Sequence, residues 1–311
     1  MIARKVLVKL TLLLVLPGWF GCKSYQKQMD ELPDAFDRGT INISVDESFK
    51  PVVDELIQVY EASRPNTKIN VQYKPEAACL RDFATDSIRL VIATRGFNER
   101  EKQFIEDSLK LGPEKLVVAR DAIAVIVNPG SPDSLFSMTD IKEILKGTFK
   151  KNLIPVFDGT NATSTVRFII DSVLKSDSLT PKAMAAKTSE GVIEYVAKNQ
   201  NAVGFVGVSW IGNKEDTMQL SFLKKVKIAH LESRDKEGVY ILPVQNNIYM
   251  ERYPMVRDLV YILKERHTGL GHAFADFMSG EIGQLIFKRA YLDPRLRKFI
   301  LRPAQLREDP N

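Results

Sequence analysis

Residues 39–60 read GTINISVDESFKPVVDELIQVY. Ile41, Ile43 and Val45 alternate with polar neighbours, the period of two that a half-buried strand requires. After Asp46-Glu47-Ser48-Phe49 the apolar positions change spacing. Val52, Val53, Leu56, Ile57 and Tyr60 then recur at the 3.6-residue period of a helix. Ser48 falls where a helix N-cap belongs, and Pro51 where the first turn tolerates a missing N–H. A strand therefore runs through a short polar turn into a helix, the first half of a β-α-β unit.

The same alternation continues in both directions. Ile69 and Val71 predict a second strand, and the unbroken apolar run 90–93 predicts a third, covered on both faces. A second set opens with the apolar run 122–127, stopped by the turn cluster 128–132. It continues as a helix near 139–145, a strand at 154–157 and a strong amphipathic helix carrying Val166, Ile169, Ile170, Val173 and Leu174. A strand at 202–209 and an apolar stretch at 239–244 follow. The last stretch reads as helix-rich, with Leu270, Phe274, Phe277 and Met278 on one face and Ile282, Leu285 and Ile286 on another. Alternating units of this kind predict an α/β protein with mixed, mostly parallel sheets and helices on both faces. There is no internal repeat and no low-complexity tract.

The N-terminus has its own logic. Arg4, Lys5 and Lys9 precede the apolar run 10–16, then Pro17, Gly18 and the pair Gly21-Cys22. A run this short predicts a signal peptide over residues 1–21 rather than a membrane span. A small residue before the cysteine is similar to the bacterial lipobox, with Trp19 where an aliphatic residue is usual. Cys22 is thus the expected lipidation site and 22–39 a polar, lipidated tether; the plain alternative is a small apolar residue closing a conventional signal peptide. Losing residues 1–21 leaves 41 basic residues against 39 acidic ones, a formal +2 and no nucleic-acid footprint. Cys79 is the only other cysteine, so an acylated Cys22 leaves no intrachain disulfide. His230, His267 and His272 show no metal spacing, and neither a metal nor a cofactor is expected. The roughly 270 remaining residues exceed one ordinary core and predict two domains.

Three strand ends carry polar residues where a helix begins, the arrangement in which backbone N–H groups and a helix dipole meet anions. The first is Glu47-Ser48-Phe49, where Ser48 is placed equally well for simple capping. In the second, residues 158–167 read DGTNATSTVR. Asn161, Thr163, Ser164 and Thr165 exceed what one cap needs, and Arg167 follows one turn in. At the third, Thr94-Arg95-Gly96, Arg95 reads either as an anion ligand or as a solvated loop charge.

Taken in order, GTINISVDESFKPVVDELIQVY, DAIAVIVNP, the Asn-Ala-Thr-Ser-Thr helix start, NAVGFVGVSWIG and the closing GEIGQLIFKRAYLDPRLRKFILR resemble the phosphate-binding solute receptors of ABC uptake systems, within the type 2 periplasmic binding protein fold. The resemblance implies two lobes with a ligand cleft between them. Lobe 1 would comprise 40–122 and 243–311, and lobe 2 would comprise 123–242. It further implies capture of phosphate or a related small oxyanion by cleft closure. The contacts would be Glu47, Ser48 and Phe49, then Glu76 and Ala77 after the second strand, then Thr94 and Arg95. Asn161, Thr163, Ser164, Thr165 and Arg167 would complete the set. The implied partner is an ABC permease. The implied state is a lipid-anchored monomer on the periplasmic side of a bacterial membrane.

Two departures stand out. The family's aspartate accepts the proton of monohydrogen phosphate, and Arg95 in its place has no lone pair to offer. The arginine expected shortly before the hydroxyl-rich helix start is replaced by Phe157-Asp158, leaving Arg167 to substitute. Glu47 and Glu76 are then the expected proton acceptors, or marks of a ligand with a cationic group.

An enzymatic reading rests on Gly207-Val208-Ser209-Trp210-Ile211-Gly212, whose second glycine comes one residue late for a nucleophile elbow. The protein is therefore expected not to be an enzyme. The remaining alternative is a signalling receptor or envelope scaffold that keeps the binding fold and feeds no transporter.

Overall fold

The computed structural model describes residues 33–85, 87–110, 112–159, 163–175, 177–265 and 267–296. The signal peptide, Cys22 and Asn161 lie outside the described residues.

The chain enters through β1 (Gly39–Asp46), a 3-10 turn (Glu47–Phe49) and α1 (Lys50–Ser63). Then come β2 (Thr67–Lys74), α2 (Glu76–Asp82), β3 (Ile88–Ala93) and α3 (Glu99–Leu109). The long β4 (Glu114–Val127) leads to β5 (Leu135–Phe136), α4 (Met138–Lys146) and β6 (Ile154–Phe157). Next are α5 (Ser164–Phe168), β7 (Met184–Ala185), α6 (Ser189–Lys198) and β8 (Ala202–Gly207). They are followed by α7 (Thr217–Leu223), β9 (Lys227–Ile228), β10 (His230–Glu232), β11 (Tyr240–Ile241) and α8 (Gln245–Tyr249). The described chain closes with β12 (Val256–Leu263), α9 (Leu270–Ser279), α10 (Glu281–Arg289) and β13 (Asp293–Pro294).

The principal sheet runs β2-β1-β3-β12-β4-β8-β6-β7. β1 is parallel to β2 and β3, and β6 is parallel to β7 and β8, as the alternating units predict. The antiparallel members are β12, which pairs with β3 and β4, β4 itself against β8, and β9 and β13, which each pair with β4. β4 belongs to two half-sheets. Its residues from Glu114 to Ala122 pair with β12, and from Ile123 to Val127 with β8. The change of partner falls between Ala122 and Ile123, and both half-sheets carry a packed apolar core along it.

Four sequence expectations need correction. The stretch 22–39 is not all tether, because Asp34 and Ala35 are buried. The Asp34 carboxylate accepts from Leu270 N–H at 2.8 Å, where α9 begins, and faces Arg89 at 3.5 Å. Gly39, at φ +111°, makes the turn from this segment into β1; a Cβ there would meet Asp34. The strong helix over 166–174 keeps only one α-helical turn and continues as a π-helical segment, Ile169–Leu174. The strand read to Ser209 ends at Gly207, and a 3-10 turn, Val208–Trp210, takes Ser209. Finally, the region read as helix-rich contains β12, an inner strand of its half-sheet between β3 and β4. Its buried Leu259, Val260, Tyr261 and Ile262, two of them β-branched and one aromatic, form a run that suits a strand buried on both faces.

Candidate functional site

The carboxyl ends of β1, β3, β6 and β8 deliver Ser48, Thr94, Asp158 and Ser209 to the seam between the half-sheets. In open α/β sheets this end is where ligands bind.

At the bottom of the seam Arg257, near the start of β12, faces Asp121 on β4, its cross-strand partner. Nε donates to Asp121 Oδ2 at 2.9 Å, and the pair is almost wholly buried, the side chains 2% and 0% exposed. Asp121 Oδ1 accepts from Val208 N–H at 3.2 Å, fixing the turn after β8. Arg257 Nη1 points across the seam to the start of α5, donating to Ser164 Oγ at 2.9 Å and reaching Thr165 Oγ1 at 3.4 Å. Its Nη2 lies 2.8 Å from Asp121 Oδ2 but is not aligned for a hydrogen bond. Phe49 places its ring 5.3 Å from the guanidinium carbon.

Above it, Ser48 Oγ meets Ser164 Oγ at 3.1 Å, and the Ser48 carbonyl accepts from Ser209 Oγ at 3.1 Å. Asp46 caps the turn: its Oδ1 accepts from Ser48 N–H and Oγ–H at 3.1 and 3.0 Å. Thr163 caps α5 through Val166 N–H at 3.2 Å, which leaves the side chains of Ser164 and Thr165 facing the seam.

Two buried carboxylate oxygens here have no hydrogen-bond partner, Asp46 Oδ2 and Asp158 Oδ1. Burial, reinforced by the charge of Glu76, pushes the Asp46 carboxyl up to about 7. Burial likewise raises the Asp158 carboxyl.

At the mouth a second arginine is held differently. Arg167 of α5 donates through Nε to Glu76 Oε2 at 2.6 Å and through Nη2 to Thr94 Oγ1 at 2.6 Å. Glu76 Oε1 accepts from Thr94 N–H at 2.9 Å and from the Thr94 hydroxyl. Burial opposes ionisation of Glu76, but Arg167 and the Thr94 donors outweigh it and hold the carboxyl below its ordinary value. Nearby, Glu47 accepts from Ser189 N–H at 3.1 Å and from Ser189 Oγ at 2.8 Å, where α6 begins; burial raises its carboxyl.

The structure thus gathers Ser48, Phe49, Ser164 and Thr165 around Arg257, and Glu76, Thr94 and Arg167 at the mouth. Ala77 and Arg95 are directed elsewhere. Arg95 grips Glu101 at 2.7 and 3.0 Å, donates to the Gly96 carbonyl, and with Ala77, Leu80, Phe97 and Phe104 lines a cavity of about 410 Å³ beside α2 and α3. Neither Glu47 nor Glu76 offers a free acceptor of the kind expected of them. The unpartnered acceptors belong to Asp46 and Asp158. Sequence reasoning missed Arg257, Asp121, Asp46 and Asp158. For Asp158 and Asp46 a signal existed, an aspartate directly at a strand end; for Arg257 none did. Among the described residues no group of three or more histidine, cysteine, aspartate or glutamate side chains is placed to hold a metal. No helix among them is long and apolar enough to cross a membrane.

Two half-sheets sharing one long strand, with polar side chains gathered at their common carboxyl edge, define a two-sided α/β fold with a candidate site along its seam. A family model described as the PBP superfamily domain matches residues 32–281, and the chain belongs to that superfamily. Curated relatives include the phosphate-binding protein PstS of Staphylococcus haemolyticus, 23% identical over 70% of this chain and 68% of the relative. PstS of Staphylococcus aureus strain USA300 is 22% identical over 73% and 69%. Among solved structures, a Clostridium perfringens protein described as a phosphate ABC transporter substrate-binding protein, with phosphate bound, superimposes with TM-score 0.69. It is 20% identical and covers 83% of this chain and all of its own. An ABC-type phosphate transport receptor of Vibrio cholerae gives 0.61 at 18% identity, over 82% of this chain and all of its own. An OxyR protein of Corynebacterium glutamicum gives 0.55 at 10% identity, over 86% and 71%, so the fold is shared beyond transport receptors.

Proposed function

We propose that this protein is an extracytoplasmic solute-binding protein that captures phosphate for an ABC uptake system. Residues 40–122 and 243–311 form one lobe and 123–242 the other, with β4 crossing between them. The anion lies at the carboxyl edge of the shared sheet. It meets the hydroxyls of Ser48, Ser164 and Thr165 and the Arg257 guanidinium, and bridging both lobes favours the closed form. The reading is of a receptor and not an enzyme, held at the membrane through Cys22 and working as a monomer with a permease.

The observation that carries this is the pair of buried carboxylate oxygens without partners, Asp46 Oδ2 and Asp158 Oδ1, beside a layer of hydroxyl donors. Donors alone would serve sulfate as well as phosphate. A buried carboxylate facing an oxyanion is costly unless the anion brings a proton to it. Above the Asp46 titration near 7, where that carboxyl is ionised, monohydrogen phosphate does so and sulfate does not. Asp46 and Asp158 thus take the role of the aspartate that is absent beside Thr94.

Isothermal titration of the purified protein at pH 8, where Asp46 is largely ionised, tests this. Saturable binding of phosphate with no heat from sulfate is expected. Equal binding of the two anions would remove the role given to the carboxylates. A second reading, a signalling or scaffold protein with no transported ligand, is favoured by one fact: Thr94 and Arg167 already spend donors on Glu76, and Arg167 a further one on Thr94. Absence of binding by any small anion would favour it.

A further inference from the structure

Glu76 belongs to the half that carries β1 and β3, whereas Arg167, 91 residues away on α5, belongs to the other. The Glu76 side chain is 2% exposed and that of Arg167 31%. The carboxylate is therefore buried at the junction while the guanidinium reaches solvent at the mouth.

What Glu76 accepts is informative. One oxygen takes both donors of Thr94 and the other takes the guanidinium Nε, while Arg167 Nη2 ties back to the Thr94 hydroxyl. A hydroxyl, a backbone N–H and a guanidinium from opposite halves are the donor set an oxyanion would use. Here one side chain of the protein itself uses all of it. A salt bridge between two surface-exposed side chains would contribute little and say little. This one is sunk beside Asp46, whose carboxyl Glu76 helps push up. The arrangement collects carboxyl groups: Asp46, Asp121, Asp158 and Glu76 gather about Arg257 and Arg167, and Glu76 is the one held below its ordinary value and so kept charged. An entering anion competes with that charge unless Glu76 leaves. Asp121 is locked to Arg257 and Val208, and Asp46 and Asp158 end short, buried side chains. Glu76 has the longest side chain of the four and a partner at the mouth.

We propose that Glu76 is an internal ligand of the cleft: its tethered carboxylate occupies donors of an anion site and holds the two halves together until a free oxyanion displaces it. This rests on the binding-protein reading above. An anion that displaces Glu76 gains Thr94 and Arg167 in addition to Ser48, Ser164 and Arg257. Affinity is then set by competition with the tethered carboxylate, and Glu76 acts as a specificity residue against weak anions or those that accept through a single oxygen.

Two readouts on the full chain test it. The first is the spacing between spin labels placed on α3 and α7, one on each half, measured without ligand. Glu76→Gln should shift the distribution to longer distances, and Arg167→Gln, which removes the cation instead, should do the same. The second is a phosphate titration, in which Glu76→Gln should bind about tenfold more tightly, because less of the protein is held in the occupied form. Unchanged spacing in both variants would overturn the proposal, as would weaker phosphate binding by Glu76→Gln, which would make Glu76 a contact of the anion. Longer spacing with no phosphate binding by wild type or variant would uphold the internal ligand and defeat the phosphate reading alone.

Discussion

Arg257 and Arg167 approach the same seam from opposite sides and live in different solvents. Arg257 is buried at the floor and is matched by Asp121, a partner on the neighbouring strand whose position is fixed by sheet register. Arg167 stands at the mouth, one-third exposed, and is matched by Glu76 on a helix of the other half. Burial makes the first pair a fixture of the fold, since either charge alone would be stranded in a low-dielectric interior. Exposure of the Arg167 guanidinium makes the second exchangeable, because water or another anion can take the place of the carboxylate. On the proposed reading the floor of the site is fixed and the mouth is where ligand exchanges.

The largest expected effect comes from breaking the floor. Arg257→Ala leaves Asp121 buried and uncompensated, and should cost about 3–5 kcal/mol of stability, read as the midpoint of denaturant unfolding. A variant of nearly wild-type stability would show that water reaches this pair and that the two arginines do not differ in kind.

Next comes pH. Asp46 titrates near 7 in the folded protein against an ordinary 3.8, so the folded state holds a proton that the unfolded chain has lost. The stability associated with that proton is complete below about pH 4 and is lost as the pH rises towards 7. Asp46→Asn removes the dependence. Thermal midpoints of the two proteins should therefore differ more in the variant's favour at pH 8 than at pH 5. Parallel profiles would place Asp46 in a wetter setting.

Arg167→Ala leaves the buried Glu76 carboxylate with the Thr94 donors alone and should lower stability by about 1–3 kcal/mol, the cost of an unsatisfied buried group, and weaken phosphate binding about tenfold through loss of a charge-assisted contact. Calorimetry of folding and of binding on one sample separates the two. The smallest effect belongs to Arg95→Ala. Its guanidinium is engaged by Glu101 away from the seam, so phosphate affinity should stay within about twofold and stability within about 1 kcal/mol.

What could be read in the sequence follows the same division. The strand, turn and helix of residues 39–60 are marked locally by a change of apolar period, and they stand where that change puts them. The hydroxyls at 163–165 are also local, since one cap needs one such residue and three stand together. Arg167 follows them by helical geometry. Arg257 carries no such mark. It opens a strand hidden in a run that reads as helix-rich, and its partners are 136 and 93 residues away. Only sheet register, a non-local property, places it at the seam. Arg95 shows the converse. Its neighbours in sequence suit an anion site, but Glu101, six residues on and part of the capping box of α3, takes its charge. Asp46 was hidden by its own capping of the turn, which gives an aspartate at a strand end an ordinary use.

The most direct test is a crystal structure of the protein grown with phosphate. The account predicts one phosphate at the carboxyl edge of the shared sheet, bonded to Ser48, Ser164 and Arg257, with a phosphate oxygen beside Asp46 Oδ2 and Glu76 withdrawn from Thr94. Phosphate bound elsewhere, or a seam that stays closed on Glu76 and Arg167 in saturating phosphate, would contradict it.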